Sequence, residues 1–109
     1  MAMHENADYW QLIMTAFSDA LASEGYAFLN DADAKVTLSH RVRERAGLAI
    51  LHARYRYLAP LESKESIERL LQEAAANGLA ESWATRCQQG AEAAGWYAVR
   101  RDANMSDKQ

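Results

Sequence analysis

The chain has 109 residues, of which half are hydrophobic and a quarter are charged, and its net charge is -3. This length and composition are those of one globular domain. No run approaches the ~18 apolar residues of a membrane span, the first residues carry no Lys or Arg, and there is one cysteine. We therefore expect a cytoplasmic protein with no membrane association and no internal disulfide.

Charge is unevenly distributed along the chain. Residues 1–34 contain six acidic residues and no Lys or Arg, whereas residues 35–58 contain six basic residues and one acidic residue. Such a basic segment can serve an acidic partner or a nucleic acid, or it can be neutralised inside the fold. We favour internal neutralisation, with the acidic first helix lying along the basic second one.

The first predicted helix runs from about Asn6 to Glu24. Gly25 is predicted to end it, because glycine readily adopts the left-handed conformation of a helix stop. The apolar residues fall at i, i+3, i+4, i+7 and i+11, the pattern of an amphipathic helix. They are Trp10, Ile13, Met14, Phe17 and Leu21.

A long central helix is predicted over residues 32–58. The segment is rich in Ala, Arg and Leu, Asn30 or Asp31 can cap it, and Ala59-Pro60 ends it. Unbroken, it would be about 40 Å long, which exceeds the diameter of a compact domain of this size. Its C-terminal half is apolar on two faces and would then need another protein surface to bury it. We therefore predict homodimerisation or a hydrophobic interface with another protein.

An α+β alternative places a small hairpin at residues 26–43. Residues 35–42 alternate with strand period, Tyr26–Leu29 would pair with them, and residues 96–101 would add a third strand. Helix propensity over residues 41–58 favours an all-α fold of about four helices. We expect a single domain over residues 1–101 and a flexible tail at 102–109.

The last two predicted helices meet at Asn77-Gly78. Ser63 is predicted to cap the third helix, and the fourth starts near Ala80. Small residues on the inner face of the fourth helix indicate close approach to another helix.

We find no pattern typical of catalysis, of a metal site or of a cofactor site. The three histidines are widely separated, Cys87 has no second cysteine, and no phosphate-binding or nucleophile motif occurs. We therefore predict a non-enzymatic protein without a cofactor.

The last two predicted helices also resemble a helix-turn-helix, which makes a DNA-binding regulator an alternative. The unit from Glu62 to Glu92 is net acidic, however, whereas phosphate contacts need a basic surface. Direct nucleic-acid binding is for this reason the less favoured interpretation. The outward polar face would consist of Ser82, Thr85, Arg86, Gln88 and Gln89.

Tyr, Trp and Arg are the residue types enriched at interface hot spots. The aromatic candidates are Tyr9, Trp10, Tyr26, Tyr55, Tyr57, Trp83, Trp96 and Tyr97. We predict protein–protein binding through the C-terminal half of the second helix. Leu51, Tyr55 and Leu58 would be the anchors, and Arg54 and Arg56 would form the polar rim.

Two stretches resemble the QslA family of pseudomonad quorum-sensing antiactivators. They are His4-Glu-Asn-Ala-Asp-Tyr-Trp10 and Leu51-His-Ala-Arg-Tyr-Arg-Tyr-Leu-Ala-Pro60, and the resemblance extends over the whole chain. It implies binding to a LuxR-type transcription factor such as LasR, disruption of that factor's dimer and loss of its DNA binding. A phage-type inhibitor protein is the other interpretation of the same features.

Overall fold

The fold consists of four α-helices and a two-stranded antiparallel sheet. The structure is a computed structural model that describes residues 2–101, with side chains from residue 7 onward. The predicted mainly helical architecture with four helices is confirmed. The tail predicted at 102–109 lies outside the described residues.

The first helix, α1, runs from Ala2 to Ser23. Its predicted apolar face is turned to the core: Ile13, Phe17 and Leu21 are fully buried. Gly25 follows with a φ of 92°. The predicted left-handed stop is therefore confirmed.

The second helix, α2, is shorter than predicted and covers His40–Leu58. Ser39 caps it, because the Ser39 hydroxyl accepts a hydrogen bond from the backbone N–H of Val42 at 3.2 Å. A helix of this length spans about 28 Å, which is less than the middle dimension of the molecule, 34 Å. The helix does not project from the fold, so the prediction of homodimerisation loses this argument and stays a prediction.

Residues 32–39 are excluded from α2 because other parts of the fold bind them. Asp31 caps a short 3-10 turn over Ala32–Ala34 by accepting a backbone hydrogen bond. The chain then runs extended, and the N–H of Val36 donates to the carbonyl of Ala98 at 2.9 Å. This bond takes up an N–H that a continuous helix would use internally.

Two short strands join distant parts of the chain. β1, Tyr26–Leu29, pairs antiparallel with β2, Tyr97–Arg100. The strands predicted at 26–29 and near 96–101 are therefore present. The pairing predicted within 26–43 is wrong, because β2 takes the place beside β1.

The last two helices have the caps that the sequence predicts. α3 covers Lys64–Ala76 and α4 covers Leu79–Ala93. The Ser63 hydroxyl accepts a hydrogen bond from the N–H of Ser66 at 3.1 Å. Gly78, with a φ of 75°, makes the turn between the helices.

α2 packs against all three other helices. One of its faces joins α1, α4 and the sheet in the main core, where Val42, Ala46 and Ile50 are buried. On the other face, Leu51 packs with Ala74 and Ala80 of α3 and α4. The face predicted to need a partner is therefore largely covered from within the chain.

α2 and α4 approach each other closely at Gly47. A Cβ atom added at Gly47 would lie 2.9 Å from the Cα of Ala80 and closer still to the Ala80 carbonyl group. Ala80 and Ala84 are fully buried. The close approach predicted for the fourth helix is thus present. None of the described helices has the length and apolar character to cross a membrane.

Candidate interaction surface

The predicted partner-binding residues do not form one exposed surface. Leu51 is fully buried in the core between α2, α3 and α4. Tyr55 is half-buried and packs against the same cluster. Leu51 is therefore corrected from an anchor for a partner to a core residue, since a fully buried side chain offers no surface to another protein.

The C-terminal end of α2 keeps an apolar surface. Leu58 and Leu61 are 55% and 97% exposed. The nearby Arg56 donates from Nη1 to the carbonyl oxygen of Glu62 at 3.0 Å and so helps to hold the turn before α3. Arg56 is thus engaged inside the chain, whereas Leu58 is available as predicted.

Arg54 joins three helices at a different surface. Its Nε donates a hydrogen bond to the Tyr9 hydroxyl of α1 at 2.8 Å. Its guanidinium carbon lies 5.2 Å from the ring centroid of Trp83 in α4. A guanidinium over an indole ring is a cation–π contact, so this one side chain of α2 holds two aromatic residues in place.

Further aromatic rings and a second arginine extend this contact. The Tyr9 ring centroid lies 5.4 Å from the centroids of both Trp10 and Tyr57, and the centroids of Trp10 and Trp83 are 6.3 Å apart. The guanidinium carbon of Arg86 lies 4.9 Å from the Trp83 centroid. We call these six residues the aromatic–arginine cluster: Tyr9, Trp10, Arg54, Tyr57, Trp83 and Arg86.

The cluster reaches the protein surface. Trp10 and Tyr57 are 43% and 41% exposed, and Arg86 is exposed as well. The other three members are half-buried. The exposed rings therefore rest on side chains that the fold already holds.

Three of the six basic residues of segment 35–58 form ion pairs inside the fold, mostly with a helix other than the predicted one. The ion pairs are Lys35–Glu92 at 3.4 Å, Arg43–Glu81 at 2.8 Å and Arg45–Glu24 at 3.1 Å. Two of these carboxylates belong to α4, whereas the acidic first segment supplies one. The fourth helix therefore contributes more to this neutralisation than the predicted first helix.

Glu81 binds two basic side chains. Its Oε2 accepts hydrogen bonds at 2.8 Å from Arg43 and from Nδ1 of His40. Desolvation raises the pKa of this carboxyl, but the two hydrogen bonds and the neighbouring charges outweigh it, so the pKa lies below its ordinary value of 4.5. The carboxylate form is thus favoured by the fold.

The arginines near the cluster have different surroundings. Among the side chains described from residue 7 to 101, no carboxylate lies within 4.0 Å of Arg54, Arg56 or Arg86. The guanidinium groups of Arg54 and Arg86 therefore lie against Trp83 beside the exposed rings of Trp10 and Tyr57.

Most of the predicted helix-turn-helix face is exposed. Ser82, Thr85 and Gln89 are exposed on α4. Arg86, the basic residue of that face, lies over Trp83. Since the unit from Glu62 to Glu92 is net acidic, it is the less favoured surface for phosphates.

The remaining reactive groups are buried or scattered. Cys87 is 2% exposed, and burial raises the pKa of its thiol to about 11, so the thiol is protonated at neutral pH. Among the described residues, no three His, Cys, Asp or Glu side chains lie together in a way that could hold a metal ion.

Comparison with protein-family models, curated proteins and solved structures finds no match for this chain.

Sequence reasoning identified part of this surface. Tyr9, Trp10, Tyr57 and Trp83 are among the aromatic residues that the composition marks as interface candidates, and Arg54 is a predicted rim residue. The sequence does not show that they meet, because the contacts depend on how α1 and α4 are placed along α2. Arg86 was missed as a member of the cluster, since its spacing indicated the polar face of a helix-turn-helix.

Proposed function

We propose that this protein binds another protein through the aromatic–arginine cluster and catalyses no reaction. One observation carries the proposal: Trp10, Tyr57 and Arg86 are all exposed. They lie against Tyr9, Arg54 and Trp83, which contact one another across three helices. Trp, Tyr and Arg are the residue types that dominate interface hot spots. Leu58 and Leu61 form a separate exposed apolar area at the end of α2.

Preorganisation supports the same function. An exposed aromatic residue usually loses rotamer freedom when it binds, and this loss costs about 0.5–1.5 kcal/mol per side chain. Here Tyr9 is fixed by Arg54, and it in turn contacts Trp10 and Tyr57. Much of this ordering has therefore taken place on folding, so more of the contact free energy appears as affinity.

We further propose that the partner is a LuxR-type quorum-sensing activator, and that binding blocks its dimerisation and DNA binding in the cytoplasm. The support is the resemblance to the antiactivators, together with where its two stretches lie. Tyr9 and Trp10 come from the first stretch, and Arg54 and Tyr57 from the second. These stretches meet in the cluster, where the Tyr9–Arg54 hydrogen bond joins them.

The test is calorimetric titration of this protein into the purified ligand-binding domain of LasR, with light scattering to follow the mass of that domain. We expect binding that converts the LasR-domain dimer into a complex with this protein. Trp10→Ala should weaken binding by about 2 kcal/mol, or roughly 30-fold, if Trp10 is a hot spot. Leu70→Ala is the control, because Leu70 is 39% exposed but lies outside the cluster.

The outcomes test two claims separately: the identity of the partner and the surface that binds it. Absence of binding to the LasR domain would refute the quorum-sensing part of the proposal. Equal affinity of the Trp10→Ala and Leu70→Ala variants, both folded by circular dichroism, would refute the surface. Retardation of random duplex DNA at low salt would instead favour the helix-turn-helix alternative.

A further inference from the structure

An apolar groove lies between α1 and α4. Both helices pack against α2, and next to the sheet they leave a cavity of about 410 Å³ between them. Met14 and Ser18 of α1 line one side of it. Phe28 of β1 and Trp96, which precedes β2, line another. On the α4 side, Gly90 and Ala91 of the helix and Ala94, the residue that follows its end, line the groove.

This groove is separate from the aromatic–arginine cluster, although the two are neighbours. Met14 and Gly90 follow Trp10 and Arg86 by one helical turn, and none of the groove residues belongs to the cluster. At the cluster, Trp10 and Trp83 bridge α1 and α4 with ring centroids 6.3 Å apart. Beyond this bridge the small residues of α4 do not fill the space between the helices.

The lining determines what kind of ligand fits. It contains no acidic or basic side chain, and its polar side-chain groups are the Ser18 hydroxyl and the Trp96 indole N–H. Phe28 and Trp96 supply aromatic surface, and Met14 supplies a thioether that contacts aromatic rings favourably. The groove is open on its outer side, where four of its lining residues are exposed: Ser18, Gly90, Ala94 and Trp96. A neutral, mainly apolar molecule fits this lining best, because no side chain in it could pair with a charge.

Gly90 contributes to the open space. A Cβ atom added at Gly90 would have no heavy atom within 4 Å. Glycine inside a helix is about 1 kcal/mol less favourable than alanine, and packing at this position gives no reason for that cost. A larger side chain here would point into free space and would fill part of the groove.

We propose that this groove is a binding site for a neutral, mainly apolar small molecule with an aromatic or aliphatic body and one polar group. The body would lie against Phe28 and Trp96, and the Ser18 hydroxyl or the Trp96 N–H would bind the polar group. The cavity volume falls within the range of about 300–1,000 Å³ that is usual for small-molecule sites. The proposal is independent of the protein partner, since it uses other residues.

The test uses N-phenyl-1-naphthylamine, a neutral apolar dye that fluoresces when it leaves water. We expect saturable binding to one site on the full chain, with energy transfer from tryptophan. Gly90→Leu should weaken binding about tenfold or more by filling the groove. Ala76→Leu is the matched control, because it adds a leucine to an exposed helix position outside the groove.

A second measurement does not depend on the variants. Amide chemical-shift changes on addition of the dye should concentrate at residues 14–18, 90–94 and 96. Dye binding that does not saturate, equal binding by the two variants, or shift changes located elsewhere would overturn the proposal. Loss of a dimer in the Gly90→Leu variant by sedimentation velocity would also overturn it, because a second copy of the chain would then be the occupant.

Discussion

Replacement of Gly47 by alanine is the sharpest test of how the helices are packed. In most helix positions this change stabilises a protein, because alanine is about 1 kcal/mol more favourable than glycine in a helix. At Gly47 the new Cβ would lie 2.9 Å from the Cα of Ala80 and closer still to its carbonyl group. The obstacle is backbone in a fully buried position, so it cannot turn away as a side chain could.

The expected loss can be estimated from these contacts. Overpacking in a core costs typically about 1–3 kcal/mol and occasionally more, and a clash with backbone belongs at the upper end. After the gain in helix propensity, we expect the free energy of unfolding to fall by about 2 kcal/mol or more. A chain of this size has roughly 5–16 kcal/mol in total, so the variant should still fold but with a clear loss.

Urea unfolding followed by circular dichroism measures this effect. A loss of about 2 kcal/mol should lower the midpoint by roughly 1–2 M for a small protein. Gly90→Ala is the control, because its Cβ meets nothing within 4 Å, and it should stabilise the protein by about 1 kcal/mol. If the two variants were equally stable, the close approach of α2 and α4 would be refuted.

Three further predictions concern individual side chains. Tyr9→Phe removes the hydroxyl that accepts from Arg54 and should lower the free energy of unfolding by about 1 kcal/mol; no change in urea unfolding would show that the bond does not stabilise the fold. The pKa of Glu81 is lowered in the folded state, so its contribution is present above the ordinary pKa of 4.5 and is lost as the pH falls through the folded pKa. The stability difference between wild type and Glu81→Gln should therefore shrink on acidification, and a difference that grows would contradict this sign. The thiol of Cys87, whose pKa burial raises to about 11, should react with a thiol reagent only after unfolding, and rapid modification of the native protein would contradict its burial.

Local signals predicted local structure well. Ser63 before α3 and Gly78 after it act through hydrogen bonds and backbone angles within a few residues, and both were predicted. The start of α2 was not predicted correctly. The predicted cap was Asn30 or Asp31, with a helix from residue 32, whereas the cap in the structure is Ser39. The hydrogen bond from the N–H of Val36 to the carbonyl of Ala98 holds the segment before Ser39 outside the helix. Ala98 belongs to a distant part of the chain, so the sequence near Val36 does not reveal the bond.

The candidate interaction surface shows the same limit. Composition indicated aromatic residues and arginine as interface candidates, and Arg54 was among the predicted rim residues. Leu51 was misplaced because both apolar faces of α2 look alike in the sequence. The positions of α3 and α4 decide that the face with Leu51 is covered, whereas Tyr57 stays 41% exposed.

The pairing of β1 with β2 has a consequence for how the chain folds during synthesis. Leu29 and Tyr97, which face each other in the sheet, are nearly seventy positions apart, whereas the helices form from neighbours within microseconds. While the chain is being made, β1 must wait without its partner until all four helices have been translated. Its edge and the side chain of Phe28, which packs on the core in the finished fold, stay open to other chains during that interval. The unfinished chain thus exposes a strand edge and an apolar side chain that the finished fold pairs and packs.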